Sequence, residues 1–172
     1  MKKSSALLLS CVLFLMSCIS SCHYKNEYQA INTNNQFSIS IPSWMKEQKG
    51  LKEGAPFQYS NRFRNFYAIA ETLPKADSAN SVSSKMNFNL NVLRKAMGSP
   101  VVTDSLEING LDIKGTRVEI YGKMNSENIY FSEVLYEGKK NIYHLSIWTR
   151  SEDRKLHFKE DINKIIASFK EI

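Results

Sequence analysis

Cysteine is almost missing from this sequence: Cys11, Cys18 and Cys22 are the only three, and none follows position 22. The 150 residues after it can therefore hold no disulfide and no thiolate metal site. Glycine is sparse as well, its seven residues standing singly. This excludes glycine-rich phosphate loops and the Gly-x-Ser-x-Gly elbow of serine hydrolases, and the three histidines form no His-Glu-x-x-His pair. No later apolar run exceeds that from Ala6 to Met16, about half of the roughly 20 residues a membrane-crossing helix needs, so a multi-span membrane protein is not expected. No block of five like charges occurs, although the formal net charge is +6. Removing Lys2 and Lys3 lowers it by two, to +4. Charge spread in this way reads as a solvated surface.

What is present begins with an address. Lys2 and Lys3 precede the apolar run, and small residues then surround two cysteines, the layout of a secretory signal peptide. Leu15-Met16-Ser17-Cys18 and Ile19-Ser20-Ser21-Cys22 both resemble the bacterial lipobox, which places an apolar branched residue and a small residue before the cysteine that receives the lipid. Cys18 abuts the apolar run and is the expected acceptor, with Cys22 the alternative. Residues 1–17 are then the signal peptide (to 21 if Cys22 is acylated). Acyl chains anchor by roughly 0.8 kcal/mol per buried methylene. The expected location is the bacterial cell envelope, with the domain facing the periplasm or the exterior and a membrane as first partner.

Residues 18–36 are polar, rich in Asn and Ser, and lack an apolar period; they read as a flexible tether. A single domain is expected over 37–172. Phe37, Ile39 and Ile41 alternate with serines and stop at Pro42, the pattern of a half-buried strand. Ser43 to Gly50 reads as a short helical turn. Phe57 and Tyr59 suggest a second strand. Asn65 to Leu73 suggests a third, with Phe66, Ala68 and Ala70 on one face and Tyr67, Ile69 and Glu71 on the other. Pro74 to Asn80 is a loop by composition. Val82, Met86, Leu90, Leu93 and Met97 recur at helical spacing, and Gly98 and Pro100 close that helix.

The second half reads as strands at Val101–Ile108, Leu111–Tyr121, Ile129–Tyr136 and Ile142–Thr149. Asn109-Gly110 suits a tight turn, and Gly115 suggests a bulge. In the last strand Ile142, His144, Ser146 and Trp148 share one face, and Tyr143, Leu145 and Ile147 share the other. Phe158, Ile162, Ile165, Phe169 and Ile172 form a terminal helical stripe after an N-cap at Ser151. Strands clustered with helices at the breaks predict an α+β fold, a mainly antiparallel sheet covered by helices.

The opening strand Phe37-Ser38-Ile39-Ser40-Ile41-Pro42 with Trp44 behind it resembles the start of the PsbP-like superfamily. Tyr143-His144-Leu145-Ser146-Ile147, followed by a helix closing Ile165-Ile166-Ala167-Ser168-Phe169-Lys170, is similar to its end. The resemblance implies an α-β-α sandwich, often in exported or lipid-anchored proteins that act as binding or assembly accessories. The leader and its Asn- and Ser-rich sequel also resemble the small lipoproteins of Bacteroidetes.

Candidate chemistry is scant, and neither catalytic residues, a metal site nor a cofactor is expected. His157 and Asp161 are four apart on the last helix, a spacing more common for an ion pair than for half a metal site. Glu133 and Glu137 share a strand face without a fixed partner. Arg62, Phe63 and Arg64 mix cations and an aromatic ring. Nucleic acid is not an expected partner of an exported, lipid-tethered chain; these three residues read first as a hairpin turn with two solvated arginines and, as the functional alternative, as an interaction surface for another envelope protein or an anionic glycan. The leading expectation is a non-enzymatic, lipid-anchored binding or assembly module. One alternative is a carrier with a pocket of about 300 Å³ lined by residues such as Met86, Phe88 and Trp148. The other is an envelope hydrolase built on His144, Glu133 or His157.

Overall fold

A computed structural model describes residues 27–75, 81–150 and 152–172. The signal sequence, Cys18, Cys22 and the N-cap expected at Ser151 lie outside the described residues. In chain order the elements are β1 (Tyr28–Thr33), β2 (Phe37–Pro42), β3 (Lys46–Glu47), β4 (Phe57–Asn61), β5 (Phe66–Pro74) and α1 (Val82–Ala96). They continue with β6 (Gly98–Val102), β7 (Leu106–Asn109), β8 (Lys114–Met124), β9 (Glu127–Glu137), β10 (Asn141–Arg150), α2 (Glu152–Ala167) and β11 (Lys170–Glu171).

The large sheet has the order β3-β4-β5-β10-β9-β8-β6, with β7 also paired to β8, and the small sheet is β1-β2-β11. All pairings are antiparallel. One face of the large sheet carries α2 and the small sheet. Between them lies an apolar core of Phe37, Ile39, Ile41, Phe66, Tyr136, Leu145, Ile162 and Phe169. The opposite face carries α1, whose Met86 and Leu90 pack with Val118, Ile120 and Leu135. The result is the expected α+β sandwich, and β10 runs through its middle with both faces covered.

Local chemistry explains the elements. Ser81 caps α1, its Oγ accepting from Ser84 N at 3.1 Å. The faces expected for β5 and β10 are those observed: Phe66, Ala68, Ala70, Tyr143, Leu145 and Ile147 all enter the α2-side core. Period-2 alternation decides this, because successive side chains of a strand point to opposite faces.

Five expectations are corrected. Tyr28–Thr33, read as part of a tether, is strand β1, paired with β2 from Tyr28↔Pro42 to Thr33↔Phe37. Its core-facing side offers Ile31 with polar Gln29 and Thr33, so no apolar alternation announces it. Ser43 to Gly50 is a turn followed by β3, not a helix, and it buries Met45 completely. The segment Val101–Ile108 divides into β6 and β7. The bulge expected at Gly115 is absent from the continuous β7–β8 ladder, and the register shift falls instead between Gly98 and Val101, where Ser99 has a φ of 48°. Gly110 is not needed for positive φ either. A Cβ there would lie 2.5 Å from the Phe169 carbonyl oxygen, which accepts a hydrogen bond from Leu111 N at 2.8 Å.

Phe169 ties the two sheets together. It is fully buried and stacks on Tyr136 at 4.2 Å and on Phe37 at 5.3 Å between ring centroids. Phe169→Ala is expected to cost about 3–5 kcal/mol in chemical denaturation. A loss under about 1 kcal/mol would contradict this packing.

Candidate functional site

The α1 face of the large sheet carries polar residues where a core would normally continue. His144 in β10 stands opposite Glu71 of β5, and its neighbour on the same face, Ser146, stands opposite Glu133 of β9. Cross-strand and diagonal neighbours on one sheet face touch. The three strands therefore bring four polar side chains into a single cluster.

His144 is 5% exposed and Glu133 is 2% exposed, which makes both too buried to be satisfied by bulk water. His144 Nε2 lies 2.5 Å from Glu133 Oε2, and His144 Nδ1 lies 3.2 Å from Glu71 Oε2. Ser146 Oγ donates to Glu133 Oε1 at 2.5 Å, and the Asn89 amide reaches His144 Nε2 from α1 at 3.2 Å. Lys52 donates to Glu71 from the loop before β4. Protonated, His144 and Lys52 balance the two carboxylates.

Burial by itself would lower the His144 pKa, but the Glu133 carboxylate, helped by Glu71, outweighs it and raises the imidazole from 6.5 to about 9. Burial would likewise raise Glu71, yet the hydrogen bonds from His144 and Lys52 bring it down from 4.5 to about 2. His144 is thus a structural imidazolium at neutral pH.

Beside this cluster a cleft of about 360 Å³ opens between α1 and the sheet. His144, Glu133 and Ser146 line it together with Ile69, Phe131 and Trp148 of the sheet, and α1 contributes Phe88, Asn89, Val92 and Leu93. Trp148 is stacked between Tyr67, at 5.2 Å, and Phe131, at 5.7 Å. Phe88 and Val92 remain 65% and 52% exposed, an unusual surplus of apolar surface at the mouth of a cleft. Three hollows of about 470–480 Å³ lie elsewhere, at the β6–β8 edge, beside β7 and in the loop before β4. The smaller cleft is the one lined by the buried ionisable cluster.

The residues singled out in the sequence separate. His144 and Glu133 come together, whereas His157 is exposed on α2 with its ring edge against Phe158. Asp161 is buried and accepts the Tyr28 hydroxyl. Glu137 pairs with Lys75 at the surface, at 2.7 Å. Phe88 and Trp148 line the cleft, while Met86 is in the core behind it. Arg64 lies over the Trp44 ring at 4.7 Å, and Arg62 Nε donates to Gln48 at 3.2 Å. Glu71, Ser146 and Asn89 were not singled out. The shared face of Tyr67, Ile69 and Glu71 was the signal available for Glu71, but its partner depends on strand order.

Both ring nitrogens of His144 face carboxylates, and the Ser146 hydroxyl donates to Glu133 rather than to the imidazole, so the cluster forms no serine–histidine pair. Glu71 and Glu133 sit at the two divergent nitrogens of one ring, and among the described residues no group of His, Asp and Glu is disposed to hold a metal ion.

No family model and no curated protein sequence matches this chain. Solved structures do. Cyanobacterial PsbP (CyanoP) from Synechocystis sp. PCC 6803 is similar at a TM-score of 0.57 and 13% identity, over 90% of this chain and 99% of that one. The fold is PsbP/Mog1-like. The Saccharomyces cerevisiae Ran-binding protein Mog1p gives 0.59 at 8% identity over 85% and 96% of the two chains. LpqN of Mycobacterium tuberculosis, involved in cell envelope biogenesis, gives 0.57 at 8% over 86% and 91%. At such identities the PsbP/Mog1-like likeness concerns the fold.

The cluster makes stability depend on pH in a defined sense. His144 titrates higher folded than unfolded, so its contribution is complete below about pH 6.5 and fades as pH rises through about 9. Glu71 titrates lower folded, so its contribution is complete above about pH 4.5 and fades as pH falls through about 2. Denaturation of the wild type is expected to show a loss between pH 6.5 and 9.5. Glu133→Gln is expected to cost about 3 kcal/mol at pH 6, as for breaking a buried pair, and to flatten the alkaline slope. Parallel slopes in the two proteins would refute this.

Proposed function

We propose that the chain is a lipid-anchored, non-enzymatic binding or assembly module of the cell envelope, held to a membrane through Cys18 or Cys22. The observation that carries the non-enzymatic part of this reading is the closed hydrogen bonding of His144, Glu133 and Ser146, in which the Ser146 hydroxyl has no imidazole base. The similarity to CyanoP, to a Ran-binding protein and to an envelope-biogenesis protein supports an accessory role. Its binding element is the mouth of the α1 cleft, where Phe88 and Val92 would meet an apolar side chain of another envelope protein; aromatic anchors in partly enclosed pockets dominate such contacts. Neither nucleic acid nor a cofactor enters this reading.

A second reading, a carrier of a small apolar molecule, is favoured by one feature: about 360 Å³ lined by Phe88 and Trp148 falls within the range of small-ligand pockets. In-cell cross-linking followed by affinity capture, with wild type beside a Phe88→Glu, Val92→Glu variant, separates the two. The accessory reading expects one envelope protein to be captured by the wild type and lost, at unchanged melting temperature, by the variant. A small molecule retained in native mass spectra of the wild type, with no protein captured, would shift the assignment to the carrier. Turnover abolished by His144→Gln without loss of stability would overturn both.

A further inference from the structure

The first described residue, Glu27, fixes the corner at which the preceding segment joins the domain. Its carbonyl accepts from Ser43 N at 2.8 Å. The next residue, Trp44, lies under the Arg64 guanidinium, and its carbonyl accepts from Asn61 Nδ2 at 2.9 Å. The β4–β5 turn therefore closes over the same corner. At its tip Phe63 is 97% exposed, so its phenyl ring has no cover from the domain that presents it.

Cations lie on the segments that form this corner. Arg62 and Arg64 flank Phe63, Arg154 donates to the Arg64 carbonyl at 2.7 Å, and Lys46 reaches the Ser43 carbonyl at 3.1 Å. The carboxylates on the same segments are Glu27, Glu47, Glu152 and Asp153.

Chain length adds a constraint. Cys22 stands five residues before Glu27 and Cys18 nine. Fully extended, these spans reach at most about 18 Å and 32 Å. An anchor at either cysteine would keep this corner close to the bilayer.

We propose that the Arg62-Phe63-Arg64 tip is a membrane contact. Phe63 enters the boundary between headgroups and acyl chains of the membrane that holds the N-terminal lipid, and the surrounding cations meet anionic headgroups. The inference rests on the lipid-anchor reading above. A single phenyl ring holds a membrane weakly. Tethering makes its contact intramolecular, at high effective concentration, so a weak contact suffices to orient the domain.

The test uses the full chain isolated from membranes and reconstituted in vesicles of phosphatidylethanolamine and phosphatidylglycerol with brominated acyl chains. Intact mass reads the anchor, and tryptophan quenching reads the tip. Phe63→Trp is expected to add a quenched component absent from the wild type, whose tryptophans are Trp44 and Trp148. Adding Arg62→Glu is expected to lower that component at least twofold. An acylated protein whose Trp at position 63 is no more quenched than in buffer overturns the membrane contact and leaves the anchor standing. A mass without acyl chains removes the anchor, and with it this proposal. A protein cross-linked at position 63 in cells, with no quenching in vesicles, assigns the tip to a partner and overturns it as well.

Discussion

A charged imidazole in the middle of a sheet constrains everything laid around it. β10 is covered on both faces, so His144 has to find its partners on the two adjoining strands or lose its proton to burial. Glu71 on one side and Glu133 on the other meet that demand. Both need the registers His144↔Glu71 and Ser146↔Glu133. A slip of one residue would turn a carboxylate to the other face, into the aromatic core around Phe169. The network thus favours one pairing of β5, β10 and β9 among those that apolar alternation would tolerate.

The two faces of the large sheet are built to different ends. Toward α2 the core is aromatic, with the Phe169 ring in contact with those of Phe37, Tyr136 and Tyr143. Toward α1 it is shallower: the helix buries Met86 and Leu90 and leaves Phe88 and Val92 in solvent. A helix held by few buried contacts opens more readily than one locked into a core. The larger apolar core lies on one side of the sheet, and the cleft, with its polar floor, on the other.

Much of this was legible in the sequence, because alternation and helical spacing report burial directly. The faces of β5 and β10, the stripe of α1 and the antiparallel sandwich follow from residue order. Two kinds of feature did not. One is structure whose signal is polar: the β1–β2 hairpin turns at Asn34-Asn35, with φ of 51° and 53°, a left-handed pair that Asn tolerates, yet an Asn-rich stretch resembles a tether. The other is the site. His144 and Glu133 were visible singly, but Glu71 is 73 residues from His144 in sequence, and only the strand order β5-β10-β9 unites them.

The central claim is that His144 is a structural cation held between two carboxylates, and its ring nitrogens report this directly. Nitrogen-15 NMR of the folded protein at pH 7.5 is predicted to show both nitrogens of His144 protonated, with coupled protons slow to exchange. A single protonated nitrogen at that pH would mean a neutral imidazole. It would free one nitrogen to act as a base, contradicting the account of the cleft as a binding site rather than a catalytic one.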